Sequence, residues 1–235
     1  MALPSNAQLA FSKIERMNKP CIAAIQGLAL GGGMEFALAC HYRIAEPFAR
    51  FGQPEINLRL LPGYGGTQRL PRLLADRGGE QGLTRALEMV LGGRNIEAED
   101  ALAFGAIDHL AGGPDDVLSL AHAAVRDFIR DGEASALGQA FAERRAAVTR
   151  WDEAGEADLE AAISDAFVQR IVKQLAWAGR DKAGERALDA IRTGWADGMS
   201  AGLKREAEVF AEAIIDPDGG KTGIRLFMDK QAPPL

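Results

Sequence analysis

Apolar positions along this chain fall into two regimes. Up to about Leu110 they come in short runs broken by glycine and proline; beyond about Asp115 they recur at helical spacing. "NAQLAFSKIERM" sets Leu9, Ile14 and Met17 at near-helical intervals, and Asn18 and Pro20 stop it. "CIAAIQG" is a continuous apolar run and predicts a strand buried on both faces. After three glycines, "MEFALAC" predicts a short helix and "HYRIAE" a second strand. "RFGQPEINLRLLPGYGG" reads as turns throughout, because Gly52, Pro54, Pro62 and Gly63 interrupt any regular element. Helices follow in "EQGLTRALEMVLGG" and "EAEDALAFG", and "AIDHLAGG" predicts a short strand.

In the second half, "DDVLSLAHAAVRDFIRDG" carries an aspartate cap ahead of helical periodicity. Leu159, Ile163, Phe167, Ile171 and Leu175 recur every four residues and predict one helical stripe. No segment here predicts a strand. The expected organisation is an α/β segment over residues 1–112 and a helical region over 113–235, with extra helical sequence around 131–180.

Composition narrows the function classes. The net charge of −6 and pI near 5.2 exclude a broad basic surface for nucleic acid. No apolar run reaches the roughly 18 residues of a membrane span. The first residues lack a signal-peptide layout, so the expected location is cytoplasmic. Cys21 and Cys40 have no metal or redox spacing and are expected as small buried residues. His41, His109 and His122 share no ligand spacing, Arg69 and Arg72 are expected at the surface, and Trp151, Trp177 and Trp195 as packing anchors.

Candidate chemistry lies in "IQGLALGGGMEFALAC". A strand, three glycines and a helix bring unpaired N–H groups of a first helical turn within reach of a ligand oxygen. Such a turn serves a phosphate or an oxyanion that forms during reaction. The spacing is neither G-x-G-x-x-G nor a Walker-A loop, and Glu35 in the first turn would repel phosphate. Glu35 alone is also explained as a favourable partner of the helix dipole. Glu55, in "FGQPEINL" among Phe51, Ile56 and Leu58, adds a second carboxylate whose apolar neighbours would raise its pKa. Two glutamates beside a glycine-backbone oxyanion site form a general acid/base pair.

The run "KPCIAAIQGLALGGGMEFALACHYRIAEPFARFGQPEINLRLLPGYGGTQRLPRLL" resembles the crotonase superfamily, the enoyl-CoA hydratases and isomerases. "ALEMVLGGRNIEAEDALAFGAIDHL" and the closing "GLKREAEVFAEAIIDPDGGKTGIRLFMDK" extend the resemblance. It implies a crotonase-like ββα spiral core followed by a C-terminal helical region. It puts Gly32 at an oxyanion-hole amide and Glu35 and Glu55 at the two catalytic glutamates. Gly31, Pro54 and Gly63 fall at substrate-binding positions, and Lys230 at a basic residue facing coenzyme A. It further implies an acyl-CoA substrate and assembly as a homotrimer or dimer of trimers, with no metal and no cofactor beyond the coenzyme A of the thioester. Members that only isomerise commonly lose the glutamate at the Glu35 position, so retention of both favours hydration of a 2,3-unsaturated acyl-CoA. Ring-opening hydration, thioester hydrolysis and an impaired subunit are the other readings.

Two departures accompany the resemblance. The family's N-terminal strands, which supply the second oxyanion donor, have no counterpart, so an N-terminally truncated core with unpaired strand edges is expected. A truncated product or a start at an internal methionine would account for it. The helical sequence around 131–180 is longer than in ordinary hydratases.

Overall fold

A computed structural model describes residues 5–155 and 157–229. Helix α1 (Asn6–Glu15) begins at Ser5, whose side chain accepts from Gln8 N while Gln8 Oε1 accepts from Ser5 N, a reciprocal cap. Strands β1 (Ile22–Ile25) and β2 (Leu28–Leu30) lead into helix α2 (Gly32–Ala39) and strands β3 (Tyr42–Ala45) and β4 (Arg50–Gly52). A 3₁₀ turn over Pro54–Leu58 precedes the long helix α3 (Gly66–Gly92), which is bent at Gly79. Strand β5 (Ile96–Glu97), helix α4 (Ala98–Ala103) and strand β6 (His109–Leu110) complete the mixed part. The remainder is helical: α5 (Asp116–Asp131), α6 (Ala136–Arg150), α7 (Leu159–Ser164), α8 (Ala166–Trp177), α9 (Asp181–Asp197), α10 (Met199–Ile215) and α11 (Gly220–Met228).

The strands form two small sheets, in orders β1-β3-β6 and β2-β4-β5. Leu28 to Leu30 run parallel to Arg50 to Gly52, so the segments that follow β2 and β4 emerge side by side. That register is what brings Glu35 and Glu55 into one neighbourhood. One apolar cluster runs from Ala23 through Leu74, Leu87 and Ile163 to Val209 and Ala213, joining the mixed part to the helices. No helix among the described residues is long and apolar enough to cross a membrane.

Several expectations are corrected. Strand β1 is not buried on both faces: Ala23 and Ile25 point into the core, while Ala24 is exposed and Ile22 half-buried on the alternate face, which is only partly covered. The segment from Arg50 to Leu58 is not turns alone, since β4 pairs with β2 and Pro54 opens a 3₁₀ turn with its fixed φ. The stripe from Leu159 to Leu175 breaks at Asp165, whose carboxylate caps α8 through Phe167 N and Val168 N, and Phe167 falls outside the buried face. Trp151 and Trp195 are buried, whereas Trp177 is 91% exposed.

Arg69 and Arg72 are buried, contrary to the surface expectation. Arg69 binds both oxygens of Glu15 at 3.1–3.2 Å, and Arg144 reaches the same carboxylate at 2.8 Å. Arg72 donates to Gly194 O and lies 5.3 Å over the Trp195 ring. These partners come from distant parts of the chain, so no local pattern announces them. Cys21 and Cys40 are free thiols whose Sγ atoms meet at 3.7 Å despite their distance in sequence.

Candidate active site

The glycine turn is explained residue by residue. Gly31 has φ +53°, a conformation that glycine adopts without strain, and its N–H donates to Gly52 O at 2.9 Å. A β-carbon on Gly31 would lie 2.7 Å from Glu55 Oε1, and one on Gly32 would lie 3.3 Å from the Tyr64 ring. Gly33 faces open space. Gly32 is the first residue of α2, so its N–H has no acceptor within the helix, and none is found elsewhere among the described residues. That amide is a free donor at the positive end of a helix.

Glu35 sits in the first turn of α2 and is buried, with Oε1 accepting the amides of Tyr64 and Gly66 at 2.7 Å each. Burial pushes its carboxyl well above the ordinary range, and the charges of Glu206 and then Glu55 push the same way. Glu55 follows Pro54 in the 3₁₀ turn, and its Oε2 is buried without a hydrogen-bond partner among the described residues. Burial, with a smaller contribution from Glu206, raises its carboxyl to about 7. The apolar surroundings inferred for Glu55 are present, with Phe51 and Ile56 in the core.

Two residues at this site escaped the sequence reading. Gln53 is fully buried with neither amide atom partnered among the described residues, and its Nε2 and Glu35 Oε1 both converge on Gly66, 2.7 and 2.9 Å from where a β-carbon would stand. Its signal was a polar residue inside "FGQPE". Glu206 of α10 accepts from Gly65 N at 2.6 Å, Thr67 N at 3.1 Å, Thr67 Oγ1 at 2.5 Å and Gln8 Nε2 at 2.9 Å. Met199, Gly202, Glu206, Val209 and Ala213 form the buried face of α10, so a charge on an otherwise apolar stripe was its signal.

Gly31, Gly32, Glu35, Pro54 and Glu55 therefore gather at one place. Gly63 lies in the loop before α3, where a β-carbon would meet the Phe210 ring at 2.8 Å. Lys230 lies outside the described residues.

Comparisons with known proteins bear on the family of the chain. Residues 2–170 match the family described as enoyl-CoA hydratase/isomerase. The peroxisomal fatty acid beta-oxidation multifunctional protein MFP2 of Arabidopsis thaliana is 36% identical over 218 residues, 93% of this chain and 27% of its own length. The fatty acid oxidation complex subunit alpha of Shewanella sp. (strain ANA-3) is 34% identical over 225 residues, 92% of this chain and 28% of its own. The chain thus spans under a third of the length of these curated relatives. Among solved structures, a carnitinyl-CoA hydratase from Mycobacterium avium is similar with a TM-score of 0.58 at 25% identity, covering 98% of this chain and 68% of that one. An enoyl-CoA hydratase from Mycobacterium avium subsp. paratuberculosis K-10 reaches 0.60 at 16% identity over 93% and 68%, a likeness of fold alone. The matched residues hold the whole glycine turn and both glutamates, and the chain belongs to the enoyl-CoA hydratase/isomerase family, the crotonase superfamily that its motifs resemble.

Proposed function

We propose that this chain carries the hydration site for a 2,3-unsaturated acyl-CoA thioester. The observation that supports it is the pairing of an unengaged Gly32 amide with two buried, mutually repelling carboxylates, Glu35 and Glu55. In this reading the thioester carbonyl oxygen accepts the Gly32 N–H. Water attacks the β-carbon, the C=C electrons move toward the carbonyl, and negative charge builds on its oxygen. Glu35 takes a proton from the water and Glu55 delivers one to the α-carbon, so one water adds across the double bond. A donor aimed at that oxyanion contributes about 2.7–4 kcal/mol to lowering the barrier. Gln53 sits where its amide can orient the attacking water beside Glu35.

Coenzyme A enters as part of the substrate. Pro54 and Gly63 would bound the acyl group, and Lys230 would meet the coenzyme. Exposed Ile215, Phe227 and Met228, around α11, support assembly of the helical region as a homotrimer or dimer of trimers.

The experiment is a crotonyl-CoA assay that follows loss of the enoyl-thioester absorbance, with the product identified by mass. Addition of one water, abolished in Glu35→Gln and in Glu55→Gln, is the expected result. Release of free coenzyme A would reassign the site to thioester hydrolysis. An intact substrate would make this chain an impaired subunit.

A further inference from the structure

The sulfur atoms of Cys21 and Cys40 lie 3.7 Å apart, although 19 positions separate the two residues in the chain. Cys21 stands just before β1, and Cys40 is the residue that ends α2. Backbone hydrogen bonds fix both partners. Cys21 O accepts the amides of His41 and Tyr42 at 2.9 and 3.2 Å, and Cys21 N donates to His41 Nδ1 at 3.0 Å. Arg43 Nη1 donates to Cys40 O at 2.6 Å. The parallel pairing of β1 with β3 continues this frame, so the contact between the sulfurs is built into the sheet.

The two thiols differ in access. Cys40 is buried, whereas Cys21 is half-buried and follows an exposed stretch from Arg16 to Lys19. Desolvation penalises a thiolate, so the charge belongs on the less buried sulfur. The hydrogen bond from Cys40 holds the Cys21 thiol down at about 7, against the smaller opposing effect of its own burial. The same hydrogen bond and then burial push the Cys40 thiol up. The one other acceptor found for the Cys40 S–H among the described residues is Phe36 O, at 3.6 Å. A part-exposed, partly ionised thiol in contact with a neutral buried one has the layout of an attacking and a resolving cysteine.

We propose that Cys21 and Cys40 form a dithiol that hydrogen peroxide converts to a disulfide, with Cys21 the attacking sulfur and Cys40 the resolving one. The Cys21 thiolate attacks one peroxide oxygen: an S–O bond forms, the O–O bond breaks and hydroxide leaves. The Cys40 sulfur then attacks the Cys21 sulfenic sulfur. An S–S bond forms, the S–O bond breaks, and the departing hydroxide takes the Cys40 proton and leaves as water. Each sulfur gives up one electron, and the two peroxide oxygens are reduced. The sulfurs must close from 3.7 Å to roughly 2 Å, a movement within the range of side-chain rotation at Cys21. The bridge would close the segment that holds β1, β2 and α2, and with them Gly32 and Glu35.

The test treats the chain with a few equivalents of hydrogen peroxide at neutral pH, removes the excess with catalase, then denatures and alkylates it without reductant. The expected product is a monomer two hydrogen atoms lighter, with both thiols lost to alkylation and both restored by dithiothreitol. Met34 lies between the two cysteines. After cyanogen bromide cleavage there, the fragments bearing Cys21 and Cys40 remain joined until dithiothreitol parts them. Cys40→Ala stops at a Cys21 sulfenic acid that dimedone traps, and Cys21→Ala leaves Cys40 reduced. The bond itself is decided in the parent chain, whether or not a variant folds. Two thiols still open to alkylation, a sulfinic acid on Cys21 beside a free Cys40, or a bridge between two chains would overturn the proposal. Oxidation of Cys40 in Cys21→Ala would overturn the order of attack.

Discussion

Glu35 and Glu206 hold opposite sides of a single four-residue turn. Glu35 takes the amides of Tyr64 and Gly66, and Glu206 takes those of Gly65 and Thr67. Alternate N–H groups where the loop runs into the first turn of α3 thus point to two carboxylates from helices far apart in sequence. Each carboxylate fixes the loop, and the Glu206 charge raises the proton affinity of Glu35. In Glu206→Gln one anionic acceptor is lost from a buried cluster of donors, and stability falls by about 2–3 kcal/mol in urea titration. Because the Glu206 charge is part of what holds Glu35 up, the same variant titrates Glu35 at lower pH, read from the pH dependence of hydration.

Glu55 makes stability depend on pH in a definite direction. Its carboxyl is raised from 4.5 to about 7, so within that window the folded chain holds a proton that the unfolded chain releases. Its contribution is full below 4.5 and is lost as pH climbs through 7. A shift of that size corresponds to about 3 kcal/mol. Glu55→Gln cannot ionise; relative to the parent it gains stability between pH 4.5 and 8, measured as the difference between paired denaturation curves. A constant difference across that range would remove the buried-acid account of Glu55.

The adjacent glycines respond differently to alanine. Gly31→Ala forces a β-carbon against Glu55 Oε1 at a positive φ, and costs about 1–3 kcal/mol together with most of the activity. Gly33→Ala meets nothing within 4 Å and replaces glycine inside a helix, so it raises stability by up to about 1 kcal/mol. Thermal unfolding of the two variants side by side gives shifts of opposite sign.

Glu15 is the carboxylate that both Arg69 and Arg144 bind. Glu15→Gln leaves two buried guanidinium groups without an anion, and destabilises by about 3–5 kcal/mol. The pair is out of water, so the loss measured in urea is insensitive to salt between low and moderate ionic strength.

What could be read in the chain was local. A strand followed by Gly31, Gly32 and Gly33, a helix with Glu35 in its first turn, and Glu55 behind Pro54 among apolar neighbours are each short-range arrangements. Backbone sterics and desolvation by adjacent residues act over a few positions, so the residue order carries them. The mixed first part, the helical second part and the family followed from the same local evidence.

The tertiary structure decided the rest. The parallel register of β2 and β4 sets Glu55 beside Gly31, and α10 returns across the molecule to put Glu206 on the turn that also holds Glu35. Arg69 reads as a surface residue until Glu15 meets it, and Cys21 and Cys40 as two separate small residues until their sulfurs meet. Charge interactions and hydrogen bonds of this kind depend on separation in space: Arg69 and Glu15 lie 54 positions apart in the chain, and Gln8 and Glu206 lie 198 apart. Periodicity records which side of a helix is buried; only folding determines what that side is buried against.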